Sequence, residues 1–239
     1  FNIMKSISAL CGGAVTSNDR EFNLYGEKLL LTFGNFPKII LCKQMLIFFI
    51  LKILSINLLY RFFFFSIIKF VHNHNIRYMM ELFYPSLKFK IKEFPKYYFT
   101  NISFLSKKMI FYQLKNLEKR KENHEKRKSN NIYYFEKFEK LEINAVRLLN
   151  ISDFDYQNFI DFPILVKNRE KLNHFLLKKG IETRLYYYKN CEKIFKKTEK
   201  LCINSEKYEN EIICLPNSEK VSSKYIDYIV NMVSTFYSQ

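Results

Sequence analysis

Few residues in this 239-residue chain have both the type and the surroundings to do chemistry. Lys5 stands first. A deprotonated lysine amine is a nucleophile toward a carbonyl carbon and can carry a proton between carbon atoms. Alone, a lysine near a chain end reads as a solvated charge. Its context differs: Phe1 precedes it, a loop of small and polar residues follows, and Gly12-Gly13 closes the segment. Glycines let a backbone pass close to neighbouring elements, and burial lowers a lysine pKa toward the reactive neutral form. Asn101 and Arg184 come next, each with a structural alternative. Asn101 also reads as the cap of a helix starting beside it, and Arg184 as half of a surface ion pair. His72 and His74 flank Asn73 without an acid or cysteine at ligand spacing, so no metal site is expected. The five cysteines, at 11, 42, 191, 202 and 214, are odd in number and have no close pair. That pattern fits a reducing, cytoplasmic compartment. No Ser-His-Asp set or P-loop is apparent.

The elements that would position these residues follow from pattern. Residues 1–11 read as loop and Ala14-Val15-Thr16 as a short strand. Asn18-Asp19, with Glu21 in the first turn, starts a helix that runs to about Thr32, before Gly34 and Pro37. Residues 72–100 form a polar connector containing Pro85 and Pro95. A long helical pattern runs from Ser103 to Leu141. Its apolar stripe is Leu105, Met109, Tyr112, Leu114 and Leu117, and its charged face is Lys115, Glu118, Lys119, Glu122 and Lys126. Ser129-Asn130-Asn131 reads as a bend. The last hundred residues alternate: strands at Val146–Leu149, Pro163–Val166, Ile181–Tyr187 and Glu211–Leu215, a helix Arg169–Lys179 closed by Gly180, and a final amphipathic helix Ser222–Phe236. That order predicts a small α+β domain.

Residues 39–71 are apolar almost all round, interrupted by Lys52 and Arg61. Central Leu, Ile and Phe contribute about −0.5 kcal/mol each to insertion and a central Lys or Arg about +3, so the sum lies near zero and spanning is not favoured. Ser55 and Asn57 break the run into a helical pair. Two readings stay open: apolar helices packed on their own domain or on a dimer partner, or a monotopic contact with a membrane. The formal net charge is +16, and residues 38–96 carry ten Lys or Arg against Glu81 and Glu93. Residues 107–140 carry eleven against five. The chain lacks the aromatic and glycine pattern of an RNA-binding sheet and any DNA-reading motif, so nucleic acid is not an expected partner.

Three segments together carry a resemblance. Phe1-Asn2-Ile3-Met4-Lys5, then Gly12-Gly13, an apolar run and Asn18-Asp19, resembles the cofactor-lysine segment of DegT/DnrJ-type pyridoxal-phosphate-dependent sugar aminotransferases. Asn101-Ile102-Ser103, Gln113-Leu114, Leu117, Arg120 and Arg127 are similar to that family's Asn-containing turn and long helix. Phe162–Val166 with Gly180-Ile181-Glu182-Thr183-Arg184 is similar to its small-domain strand and turn. Departures are Asn2 where the family often has His, Cys11 where it has an acid, Ser103 where it has Arg, and Tyr186-Tyr187-Tyr188-Lys189-Asn190-Cys191 where it continues with a Tyr and a Pro-Leu-His.

The resemblance implies an α/β fold with an α+β carboxy-terminal domain, part of a fold-type I transferase, with an apolar helical insertion. Its implied division is 1–35 as the end of the cofactor-binding domain, 36–96 as the insertion, 97–141 as a linking helix and 142–239 as the small domain. It implies that Lys5 forms a Schiff base with pyridoxal phosphate, that Asn101 reaches the cofactor phosphate of a neighbouring subunit, and that Arg184 contacts substrate. The implied reaction moves an amino group, from glutamate, to a keto group on a nucleotide-linked sugar, in cell-surface polysaccharide or related biosynthesis, within a homodimer. The opening at Phe1, inside a motif, reads as a chain whose amino-terminal part lies upstream, so activity is expected of the longer parent. The competing expectation is a non-catalytic, membrane-associated remnant or scaffold; under either, the expected location is cytoplasmic or peripheral at the inner face of the cell membrane. An open frame upstream encoding a large α/β domain discriminates the two.

Overall fold

The computed structural model describes residues 7–74, 76, 78, 79, 96–141, 143–148, 159–185, 190–192 and 202–238. Lys5 lies outside the described residues, as do Pro85, Pro95 and 186–189. The described residues divide into two compact units, one holding those up to Ser66 with Lys96–Glu118, the other holding Ile67 to Met79 and those from Lys119 onward.

In the first unit, α1 spans Arg20–Thr32, close to its expected extent. Asp19 caps it by accepting from the backbone N–H groups of Glu21 (2.8 Å) and Phe22 (3.3 Å), two donors that the first turn would otherwise leave unpaired. The expected strand at Ala14–Thr16 is absent: the run is exposed and without a ladder to any described segment. A short apolar run alone does not make a strand, because each strand needs a partner for its backbone groups.

Helix α2 spans Lys38–Leu54 and α3 Asn57–Asn73, with a π-helical turn at Tyr60–Phe64. The break falls at Ser55-Ile56, as the polar residues there predict, and the two helices meet at 77°. No described residue of α2 is buried. A 3-10 turn at Lys96–Phe99 leads to α4, Phe104–Leu114. Its start is capped by Ser103, whose side chain accepts from the Ser106 N–H at 3.1 Å.

The long helix expected from Ser103 to Leu141 is therefore two. It breaks at Lys115-Asn116, and the second part, α5, runs Leu117–Leu141 without interruption through the expected bend. The reason lies in the second unit, where Asn130 and Asn131 are buried. Asn130 Nδ2 donates to the Ser218 carbonyl at 3.0 Å, and Asn131 Oδ1 accepts from Asn217 Nδ2 at 2.8 Å. Buried amides with partners outside the helix leave its own ladder intact.

Three antiparallel strands follow, β1 Val146–Leu148, β2 Phe162–Val166 and β3 Ile212–Leu215, in the order β1-β2-β3. Val146 pairs with Val166 and Phe162 with Leu215. Pro163 sits beyond the end of the β1 ladder, so its missing N–H costs no bond there. Helix α6, Arg169–Lys178, ends at Gly180, whose φ of +82° is the left-handed turn the glycine predicts. The expected strand Ile181–Tyr187 reduces, among the described residues, to one bridge between Arg184 and Cys214. Helix α7, Ile203–Glu211, was not expected and hands directly to β3. Helix α8, Ser223–Tyr237, buries Ile226, Ile229, Val230 and Val233, the i, i+3, i+4, i+7 stripe of an amphipathic helix. These side chains cover Ile164, Val166, Ile213, Leu215, Leu172 and Leu176. Tyr134 and Phe138 of α5 stack on Phe162 at 4.7 and 5.9 Å between centroids.

Candidate functional site

The loop that leaves Lys5 is held against α4. Ala9 and Leu10 are buried. Gln113 reads the backbone of Ser8 from both sides: its Oε1 accepts the Ser8 N–H at 2.9 Å and its Nε2 donates to the Ser8 carbonyl. The same Nε2 donates to Met109 O at 2.9 Å, which fixes the amide on its own helix. One residue type thus satisfies a donor and an acceptor of a passing loop, which an amide can do and a carboxylate cannot.

A second tie lies beside it. Ser103 Oγ donates to Ser106 Oγ at 2.9 Å, and Ser106 Oγ lies 3.7 Å from Cys11 Sγ. Ser106 is fully buried. Cys11 and Ser103 are the two positions where a charged residue would be expected from the resemblance. In their place stands one short polar chain, which needs no charge to be desolvated. Gly12 then turns at φ +131°, and a Cβ there would meet Ile102 Cδ1 at 2.6 Å. Glycine is required on both counts, conformation and space.

Asn101 faces the other end of α1. Its Nδ2 donates to Phe33 O at 2.8 Å and Leu30 O at 3.2 Å, and its backbone N–H donates to Gly34 O at 2.8 Å. It therefore serves carbonyls in the last turn of α1 and just beyond it, where helix bonding runs out. It is not the cap of α4, which is Ser103. With both amide hydrogens so engaged, its Oδ1 is an acceptor, and donation to an anion would require exchanging one of these bonds.

Arg184 lies in the second unit. Its NH1 sits 3.0 Å from Asp161 Oδ2, with the arginine side chain 42% exposed and the aspartate 15%. Burial pushes the Asp161 carboxyl above its ordinary pKa, and the guanidinium pulls it partway back. The Arg184 backbone exchanges two hydrogen bonds of 3.0 Å with Cys214, so the residue is fixed to β3 at its main chain and paired at its tip. The arrangement matches the ion-pair alternative, and the same guanidinium keeps donors that a second anion could use. Burial lowers the pKa of His72 in this unit. Among the described residues no three His, Cys, Asp or Glu gather as metal ligands.

The structure brings two of the three motifs into contact, the loop after Lys5 and the segment Asn101–Gln113. The expected apolar stripe of α4 was displaced. The buried face is Ser106 and Ile110, whereas Tyr112 and Leu117 are exposed. Ser106 and the role of Gln113 were therefore missed. The available signal was the spacing 106, 110, 113, one helix face carrying two polar residues beside a glycine-bearing loop.

Comparison with known proteins gives a consistent result. The family model described as the DegT/DnrJ/EryC1/StrS aminotransferase family matches residues 102–234. No curated protein sequence matches the chain. Among solved structures, DesV of S. venezuelae aligns with TM-score 0.51 and 13% identity, over 59% of this chain and 38% of that one. A DegT DnrJ EryC1 StrS aminotransferase from Brucella abortus aligns with TM-score 0.46 and 21% identity, over 53% and 34%. Helicobacter pylori PseC, an aminotransferase involved in the biosynthesis of pseudoaminic acid, aligns with TM-score 0.45 and 19% identity, over 54% and 37%. The chain spans little more than a third of the length of these structures.

Proposed function

We propose, from the premise that this chain belongs to the DegT/DnrJ/EryC1/StrS aminotransferase family, that it forms part of a pyridoxal-phosphate-dependent enzyme of fold type I. That enzyme transfers an amino group, from glutamate, to a keto group on a nucleotide-linked sugar. The observation that carries the reading is the contact between the loop leaving Lys5 and the helix holding Gln113 and Ser103, inside or beside the matched stretch.

The described residues suit one part of a cofactor site. Gln113 fixes the loop at Ser8, three positions along the chain from Lys5. Gly12 lets that loop pass Ile102 closely. Bound pyridoxal phosphate supplies an electron sink for carbanion chemistry. Lys5 is the residue proposed to hold it and to move the proton at the reacting carbon. Asn101 is proposed as the phosphate contact, after exchange of a bond to α1, and Arg184 as the substrate contact. The ring nitrogen needs an acid, which we assign to sequence beyond this chain. A homodimer, placement in polysaccharide or related biosynthesis and a cytoplasmic location belong to the same proposal.

The test is amino transfer itself. The full-length protein, given 15N-glutamate and a nucleotide keto-sugar, should yield a 15N-amino sugar, and Lys5→Ala should abolish the product. Label transfer that survives Lys5→Ala would remove the lysine from the mechanism. A full-length protein that transfers no label to any nucleotide keto-sugar tried would favour the scaffold reading.

A further inference from the structure

The largest feature that the catalytic reading leaves unused is the surface of α2 and the start of α3. Ile39, Leu46, Phe49 and Ile53 on α2, and Phe62 and Phe63 on α3, stand 55–81% exposed. An ordinary solvated face does not carry that density of large apolar side chains. Its charge is equally one-sided. Between Glu27 and Glu81 the sequence has no acidic residue, while Lys38, Lys43, Lys52, Arg61 and Lys69 all fall inside the two helices. Lys52 lies 5.8 Å from the Phe48 ring centroid and Arg61 5.8 Å from that of Phe62, so cations are interleaved with the apolar groups.

We propose that this surface rests on an anionic phospholipid bilayer, with apolar side chains entering the headgroup boundary and the cations meeting lipid phosphates. Charge complementarity selects this occupant: a second copy of the chain would bring Lys38, Lys43, Lys52 and Arg61 against themselves, whereas an anionic leaflet neutralises them. The helix geometry favours lying on the bilayer over crossing it. The 17 residues of α2 reach about 25 Å, short of a hydrocarbon core of about 30 Å. No described helix is long and apolar enough to cross alone, and the pair α2 and α3 reaches that length and composition together only across a 77° bend.

Flotation of the full-length protein with vesicles tests this. Vesicles of equimolar phosphatidylcholine and phosphatidylglycerol should carry the chain upward, and pure phosphatidylcholine should carry much less. Raising the salt to 1 M, where the screening length falls to about 3 Å, should weaken but not abolish the binding. Each cation removed should weaken it about five-fold, so Lys52→Gln with Arg61→Gln should cost about 30-fold. Phe62→Ser with Phe63→Ser should remove the salt-resistant part. All four residues are exposed, so the variants should keep the helical circular dichroism of the parent. Equal binding to both vesicle types would overturn the anionic assignment. No binding to either, with sedimentation revealing a stable dimer lost in Phe62→Ser/Phe63→Ser, would assign the surface to a second copy and overturn the proposal.

Discussion

Replacing Gln113 by Ala should release the loop that leaves Lys5. The side chain makes two hydrogen bonds to Ser8 and one to Met109 O. Each bond to Ser8 contributes about 1 kcal/mol net of exchange with water, as suits groups that are only partly shielded. The local cost is about 2 kcal/mol, or about 30-fold in the opening equilibrium of this segment. Amide hydrogen exchange at Ser8 reads that equilibrium directly: protection should fall about 30-fold in Gln113→Ala, while the strand amides of Ile213 and Ile164 stay unchanged. Gln113→Glu keeps an acceptor but loses the donor, so it should fall between the two. Tyr112→Ala, at the exposed neighbour, is the control and should leave Ser8 protected. Unchanged protection at Ser8 in Gln113→Ala would mean that the loop is held by the burial of Ala9 and Leu10 alone, and the positioning role of Gln113 would be lost.

Gly12→Ala should destabilise the first unit by about 1–3 kcal/mol in urea, and pairing it with Ile102→Val should recover the steric part but not the part due to φ. Asn217→Ala should cost about 2–4 kcal/mol, because the buried amide serves Arg127 O, Phe159 O and Asn131 Oδ1 at once; a midpoint shift below 1 kcal/mol equivalent would show that water replaces it. Burial raises the Tyr134 and Tyr225 phenols above their ordinary 10.0 and holds Tyr237 at about 12, so the folded state keeps protons that the unfolded chain releases. Stability is then full below pH 10 and falls as pH rises past it; Tyr134→Phe, which also loses a 3.0 Å bond to Pro216 O, should be less stable at pH 7 and lose less on the alkaline side. The 239-residue chain alone should not bind pyridoxal phosphate at micromolar concentration, since it spans 38% of the aligned DesV chain; a saturable spectral change would contradict this.

The second unit was the more legible. Its signals are local and strong: Ser222 caps α8, Gly180 closes α6, and the two apolar runs of β2 and β3 have no other use than a buried sheet. What failed there had a tertiary cause. Asn130 and Asn131 read as a bend because asparagine favours turns, yet Asn217, 86 positions away from Asn131, satisfies them inside a straight helix. Helix α7 carried no clear apolar period, so its direct passage into β3 had no pattern to announce it. In the first unit the caps at Asp19 and the break at Ser55 were readable, but the face of α4 was not. Ser106 is buried because Ser103 and Cys11 partner it, a fact that no hydropathy pattern contains. The residues proposed for chemistry were found through resemblance, and the structure adds the contact that links two of their motifs. Asn101 and Arg184 both appear in structural roles that their residue type allowed from the start.

The central claim concerns Lys5, and one measurement reaches it directly. The full-length protein, incubated with pyridoxal phosphate, is reduced with borohydride, digested and mapped by mass spectrometry. The account predicts a pyridoxyl adduct on the peptide that contains Lys5, lost in Lys5→Ala. An adduct on a different lysine, with Lys5 unmodified, would contradict it.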